Sequence, residues 1–400
     1  MAVTSWIEVS EERLKGNYRA IAAAVGAAFG AGTDVLAVVK ANAYGHGAEV
    51  CSVALARAGA RWFGVADAGE GARVRRALDA AGFPPHRSKI AGDPEFVDAE
   101  ILVLCGLMPG DVEAIAEHGL TPVVWTADQV GWLGGRAGMR VHVEVDTGMG
   151  RQGARPGAEL DAVLDLIGTA GLVLDGVMTH FCAAEVAGGE KTLEQQRRFA
   201  AALAQVRGKG MRPKWVHAGS SSSVDNPAGD GVWLVELAKS VGARAMVRCG
   251  IALYGYCLPI EGGAEPKLRG ALRPVMTWKT RVLDVRDVAA GETVGYNATF
   301  TAAEPMRLAL LPVGYADGLR RELGGTNERP GGWVMIRGER AGIVGRVSMN
   351  LTVVDVTGIE GVRVGDEVVV LGDGVTADHH ARLAGTISYE ILCEVGKGSC

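Results

Sequence analysis

Eight short apolar runs recur along the first 255 or so residues, each parted from the next by a segment of helical period. No other feature restricts the fold as tightly. The runs are VLAVVK (35–40), WFGVAD (62–67), ILVLCG (101–106), TPVVWT (121–126), VHVEVDTG (141–148), LDGVMTHF (174–181), KWVHAGS (214–220) and AMVRCGI (245–251). Most are almost continuously apolar, the texture of parallel strands covered on both faces. GAEVCSVALARAGA, GEGARVRRALDAAG, DVEAIAEHG and EQQRRFAAALAQVRGKG lie between them and read as helices. Eight strand–helix units predict an α/β chain with an N-terminal (β/α)8 TIM-like barrel. A doubly wound open sheet is the competing architecture, but no GxGxxG opens a helix after a strand.

The texture changes after about residue 258. PIEGGAEPKLRG is rich in Gly, Pro and charge and reads as a link. VMTWKTRVLDV, MRLALLPVGY, WVMIRGERAGIVGRVSMNLTVVDV and DEVVVLGDG follow, punctuated by turn glycines, and predict a mainly antiparallel β domain. One late helix is expected in TADHHARLAGTISYEILCEVG, capped at Thr376 or Asp378. The expected division is a barrel over 1–258 and a β-rich domain over 259–400, with a first strand at about 3–9 free to join the second.

Composition narrows the class of partner. A formal net charge of -5 argues against nucleic acid or an anionic membrane surface. Hydrophobic content of 48% and charged content of 22% are those of a globular protein, and no stretch approaches the length of a membrane span. The seven cysteines are odd in number, with no CxxC among them, as expected of buried free thiols in a reducing compartment. MAVTSWIEVS carries no secretory pattern, so a cytoplasmic location is expected.

Active sites of such barrels form at the C-terminal strand ends. Lys40 ends the first run with Tyr44 beyond it; Asp146 ends the fifth, followed by Arg151. His180 follows the sixth, His217 and Ser220 to Ser223 the seventh, and Arg248, Gly250 and Ile251 the eighth. Taken singly, each has a structural reading: a solvated lysine, a hydrogen-bonded core histidine, a turn of serines, an arginine in a salt bridge. Their common place on successive strands favours one site. Serines and a Gly-Ile turn after strands seven and eight suit a phosphate. No HxH or HExxH suggests a metal, and no GxSxG suggests a serine hydrolase. An amine beside a phosphate site points to Schiff-base chemistry, with pyridoxal phosphate or with a phosphosugar.

VVKANAYGHG, VDTGMGRQG, MTHF, RCGIALYG, GYNATF, PVGYADG, GRVSMN and TISYE occur in an order that resembles the alanine racemases over essentially the whole chain. The resemblance implies a fold-type III pyridoxal 5'-phosphate enzyme, a homodimer whose active sites draw on both subunits. It implies interconversion of L- and D-alanine by two-base proton transfer at Cα of the cofactor-bound amino acid, supplying D-alanine for peptidoglycan. Lys40 resembles the lysine that carries the cofactor and acts on the D-enantiomer. Tyr296, from the partner subunit, resembles the base for the L-enantiomer, supported by His180 and, behind it, Arg248. A free tyrosine titrates near ~10, so Tyr296 needs that support. Arg248 resembles the partner of the pyridine nitrogen. Tyr44, Ser221, Gly250, Ile251 and Tyr389 resemble the phosphate holders. Arg151 and the Met349 backbone N–H, the latter from the partner, resemble the substrate carboxylate site. Tyr315 resembles the tyrosine that narrows the entrance, and with Tyr389 it implies a small substrate.

Four positions depart from the family pattern. Glu144 stands where many relatives carry a lysine, often carbamylated, and is expected to pair with Arg151 without modification. Cys249 replaces a proline, Ser220 an asparagine and Asn350 an aspartate. Asn350 removes a charge near the carboxylate site, so a serine or broad-specificity racemase of the same fold is the alternative. His46 receives no role beyond a structural one.

Overall fold

The computed structural model describes residues 5–85, 98–226, 231–262 and 264–397, and Cys400 lies outside them. It divides into two compact units, one of residues 14–43 and 48–273, the other of residues 1–13, 44–47 and 274–400.

The first unit is the barrel. Its strands are β2 (Asp34–Val38), β3 (Trp62–Val65), β4 (Glu100–Val103), β5 (Thr121–Val124), β6 (Arg140–Glu144), β7 (Val173–Met178), β8 (Trp215–His217) and β9 (Arg244–Cys249), after a strand β1 (Ser5–Val9) that belongs to the other unit. They pair in parallel in chain order, and β9 closes on β2 with Asp34 opposite Met246 and Ala37 opposite Cys249. Leu36, Phe63, Leu102, Val123, Val143, Val177, Val216 and Val247 are all fully buried, which explains the continuous apolar texture of the runs. Caps set several helices. The Asp67 carboxylate accepts the Glu70 N–H at 2.8 Å ahead of the helix Ala68–Ala80. Thr126 and Gln129 form a reciprocal capping box ahead of Ala127–Trp132.

The second unit is an antiparallel sheet. Beyond β1 its strands are β10 (Met276–Arg281), β11 (Asp284–Val288), β12 (Thr293–Val294), β13 (Phe300–Thr301), β14 (Met306–Leu311), β15 (Trp333–Ile336), β16 (Glu339–Ile343), β17 (Thr352–Asp355) and β18 (Glu367–Leu371). Eight of them run in the order β1-β10-β18-β15-β16-β17-β14-β11, while β12 and β13 form a separate pair. Arg337 (φ 52) and Gly338 (φ 84) make the two-residue turn that parts β15 from β16. The late helix is two helices, Ala377–Ala384 and Ser388–Lys397. Gly385 stops the first in a left-handed conformation, and its N–H bonds back to Ala381 O. Among the described residues no helix is long and apolar enough to cross a membrane.

Candidate active site

Lys40 is not the last residue of its strand. β2 ends at Val38, and Lys40 opens a single left-handed turn in which Ala41, Asn42, Ala43 and Tyr44 all have φ of 54–55°. None of these is glycine, and left-handed helical backbone costs about 1–2 kcal/mol per residue. Several hydrogen bonds hold it. Asn42 N–H donates to Glu70 Oε1 at 2.7 Å, Ala48 N–H donates to Asn42 Oδ1 at 2.9 Å, and Ala43 N–H returns to Val39 O at 2.7 Å. Glu70 Oε2 also takes the Ala66 N–H at 2.8 Å, so one buried carboxylate ties together the segments after β2 and β3. Sequence reasoning had no signal for Glu70, whose partners are backbone groups.

Arg248, at the end of β9, is the hub of the mouth and is 5% exposed. Its Nη2 donates to Thr179 O at 2.7 Å and meets His180 Nδ1 at 2.9 Å; its Nη1 meets His217 Nδ1 at 3.4 Å. A guanidinium only donates, so both imidazoles accept at Nδ1 and carry their proton on Nε2. Burial lowers the Arg248 pKa to about 10, opposed by Glu144 and reinforced by Arg151, so it remains a cation at neutral pH. Burial, and then the positive charges of Arg248, Arg151 and Lys40, push His180 down to about 3.

Glu144 closes β6 and is 2% exposed. Burial raises its pKa; Gln152, Arg248, Arg151 and Lys40 oppose that. Lys40, Arg151 and Arg248 are therefore gathered around one carboxylate, and the same three cations act on His180. Among the described residues no hydrogen bond or ion pair joins Glu144 to Arg151, whose charge acts on it at longer range; the hydrogen bond to Glu144 comes instead from Gln152, whose Nε2 donates to Glu144 Oε2 at 2.5 Å and to Leu104 O at 3.1 Å. Gln152 was not singled out from the sequence, although it adjoins Arg151 in VDTGMGRQG. Asp146 shapes the same loop, its Oδ1 accepting the N–H groups of Gly148, Met149 and Gly150.

Ser221 opens the short helix Ser221–Asp225, and its Oγ accepts the N–H of Gly250 at 3.0 Å and of Ala252 at 3.4 Å. Ser221, Gly250 and Ile251 are thus brought together, Ile251 opening a 3-10 turn. The Ser221 hydroxyl proton and the Ile251 N–H at two chain turns, with Lys40, Arg151 and Arg248 in the same unit, make a donor set for an anionic ligand. That set fits a phosphorylated, carbonyl-bearing cofactor. Cys249 is fully buried, and burial raises its thiol pKa to about 12, so it is no nucleophile.

The other unit holds the remaining candidates. Tyr44 and Tyr389 stack with ring centroids 5.7 Å apart. His46 is buried with Nδ1 3.0 Å from Tyr44 O, a structural contact. Gly45 lies where a Cβ would come within 2.5 Å of Leu392 O. Tyr315 N–H bonds to Ser348 O at 3.0 Å and Ala316 N–H to Met349 O at 2.9 Å, so Tyr315 and Met349 are neighbours. Gly314 permits this approach, since a Cβ there would meet Ser348 O at 2.2 Å. Tyr296, Tyr315 and Met349 are exposed by 66%, 44% and 56%.

Comparison with known proteins agrees with this geometry. Residues 9–258 match the model of the alanine racemase N-terminal domain and residues 275–399 that of the C-terminal domain. The chain is 36% identical to the alanine racemase of Symbiobacterium thermophilum over 98% of this chain and 95% of that one. The alanine racemase of Streptomyces coelicolor A3(2) superposes with a TM-score of 0.82 at 30% identity, covering 100% of this chain and 97% of that one. A Bartonella henselae alanine racemase, solved with covalently bound pyridoxal phosphate, superposes with a TM-score of 0.78 at 27% identity, covering 99% and 98%. Two family models in sequence, a shared fold and near-complete coverage leave one conclusion: the chain belongs to the alanine racemase family.

Proposed function

We propose that the protein is a pyridoxal-phosphate-dependent isomerase that interconverts L- and D-alanine in the cytoplasm, with D-alanine destined for peptidoglycan precursors. The observation that carries this is the gathering of Lys40, Arg151 and Arg248 around both Glu144 and His180 at the mouth of the barrel. The bound cofactor supplies an electron sink that acidifies the substrate's α-proton.

The protein's own groups do the rest. Lys40 holds the cofactor covalently and moves a proton at one face of Cα. Tyr296 of a partner subunit serves the other face, because inversion needs a base on each side of the plane. Two features support that role for Tyr296: its exposure, and the Nε2 proton of His180, which is free to be donated to a phenolate oxygen. Arg248 would meet the cofactor's ring nitrogen and, as a guanidinium that keeps its proton, would leave that nitrogen unprotonated and the ring a weaker sink, which disfavours side reactions. Arg151 binds the substrate carboxylate with its forked guanidinium, helped by the Met349 N–H of the partner subunit. Ser221, Gly250 and Ile251 hold the phosphate, with Tyr44 and Tyr389 assigned there by the family resemblance. Tyr315 narrows the entrance.

The test combines five measurements. The protein purified with the cofactor should absorb in the visible, and borohydride reduction should fix the cofactor on Lys40 by peptide mass. Initial rates across an amino-acid panel should favour alanine over serine. Tyr296→Phe should slow α-proton exchange from L-alanine in D2O far more than from D-alanine, and sedimentation should give a dimer. A preference for serine would replace alanine as the substrate, and equal exchange in wild type and Tyr296→Phe would remove Tyr296 from the mechanism.

A further inference from the structure

The interior of a (β/α)8 barrel is ordinarily filled by branched apolar side chains. Here a line of polar groups runs through it. Arg248 Nη1 on β9 faces His217 Nδ1 on β8 at 3.4 Å. His217 Nε2 lies 2.8 Å from His142 Nδ1 on β6. His142 Nε2 faces Asp175 Oδ2 on β7 at 3.8 Å, an electrostatic contact longer than a hydrogen bond. Both imidazoles and the Asp175 side chain are fully buried. At the floor, Lys214 Nζ and Arg140 Nη1 lie 3.6 and 3.7 Å from Asp175, and Arg140 Nη2 holds Glu100 at 2.5 Å.

The backbone is built around this line. β6 and β7 pair Val141 with Leu174 but His142 with Gly176, so Asp175 is an extra residue on β7. Such a bulge re-aims a side chain. At Gly176 a Cβ would sit 2.4 Å from His142 Nδ1, so the imidazole occupies the place any other residue would fill. Trp62 packs against His142 with centroids 5.7 Å apart.

Donor chemistry gives the line one direction. Arg248 can only donate, so His217 accepts at Nδ1 and donates from Nε2; His142 then accepts at Nδ1 and aims its Nε2–H at Asp175. Burial holds both histidines neutral, His217 well below its ordinary value and His142 also lowered.

We propose that His217, His142 and Asp175 are positioning residues for Arg248: a one-way chain that fixes the plane of its guanidinium and ends on a buried carboxylate at the barrel floor. This rests on the reading of Arg248 as the partner of the ring nitrogen. Arg140 and Lys214 offset the charge of Asp175, so its part in the chain is to orient the His142 Nε2–H, and through it His217 and Arg248.

The test uses the full chain. [15N]Histidine NMR, with and without bound pyridoxal phosphate, should show His217 and His142 protonated on Nε2 alone. A ring protonated on Nδ1, or on both nitrogens at neutral pH, would overturn the chain. His217→Leu should lower kcat by about 100-fold with the KM for alanine little changed, the size of effect expected from a small misplacement. His217→Asn, whose Oδ1 can accept where Nδ1 does, should recover about tenfold of that loss. Asp175→Asn should lower kcat several-fold, shift the His217 Nδ1 resonance and move the visible band of the bound cofactor. Folded variants with wild-type kcat and an unmoved band would reduce the line to packing and overturn the proposal. The resonances need no turnover, so a wild type that fails to racemise alanine would strike the assigned activity and leave the NMR result to decide the chain.

Discussion

The Nδ1 atom of His180 lies 2.9 Å from Nη2 of Arg248, and a guanidinium with no lone pair to offer makes that imidazole an acceptor on one side and a donor on the other. The pair therefore sets which proton faces the substrate side, while burial, and then the nearby cations, keep His180 neutral.

The same contact predicts a pH dependence of stability. His180 falls from an ordinary 6.5 to about 3, chiefly through burial, so between these values the unfolded chain holds a proton that the folded chain lacks. Stability is fully present above about 6.5 and is lost as pH falls towards about 3. Urea melts of the wild type from neutral to acid pH should show this slope. His180→Asn should reduce proton uptake on unfolding by about one.

The left-handed turn after Lys40 carries strain that substitution can read. Ala41→Gly should stabilise by up to about 1 kcal/mol, as relief of strain outweighs the added freedom of the unfolded chain. Ala41→Val should destabilise by about 1–2 kcal/mol, since a β-branched residue tolerates positive φ poorly. Asn42→Ala removes the acceptor for Ala48 N–H and should cost about 1 kcal/mol. Denaturant midpoints at constant m check all three.

Glu144 has a pKa raised by burial, so stability is full below the ordinary 4.5, falls as pH rises from there through the raised value, and is level beyond it. Glu144→Gln should accordingly be no less stable than wild type at neutral pH, with the advantage lost once pH falls below about 4.5. It should still raise the KM for alanine about tenfold, or about 1.4 kcal/mol, because Arg151 loses its nearby anion. Gln152→Leu should cost about 1–3 kcal/mol by leaving the buried carboxylate without its donor. Thermal melts at two pH values and steady-state kinetics separate the effects.

Lys40→Ala should abolish covalent retention of pyridoxal phosphate and lower kcat by at least about 100-fold. Lys40→Arg should do the same, since a guanidinium cannot surrender its proton to form the bond. Borohydride followed by intact mass measurement reads the first effect, and racemisation rates the second.

The barrel was legible because parallel strands covered on both faces must be apolar throughout, and eight such runs stand at the expected spacing. The strand-end rule likewise marks Lys40, Arg151, His180, Ser221, Arg248 and Gly250 as candidates, and the structure brings Arg248 to His180 and Ser221 to Gly250. Local chemistry misled in two places. The late helix was read as one because Gly385 inside a helical pattern is tolerated as readily as it is used to stop one. Lys40 reads as a strand end because in ANAY only Asn42 favours positive φ, and a single Asn does not signal a turn of four such residues.

The sequence alone determined the period of the elements, and with it the barrel, the β domain and the residue types at each strand end, since burial and backbone pairing act locally along the chain. Only the tertiary structure decided which groups those residues meet. That Gln152 takes Glu144, that Glu70 ties two strand ends and that a bulge turns Asp175 towards His142 are contacts made across space. They depend on register and on donor direction at the ångström scale, which no local pattern records.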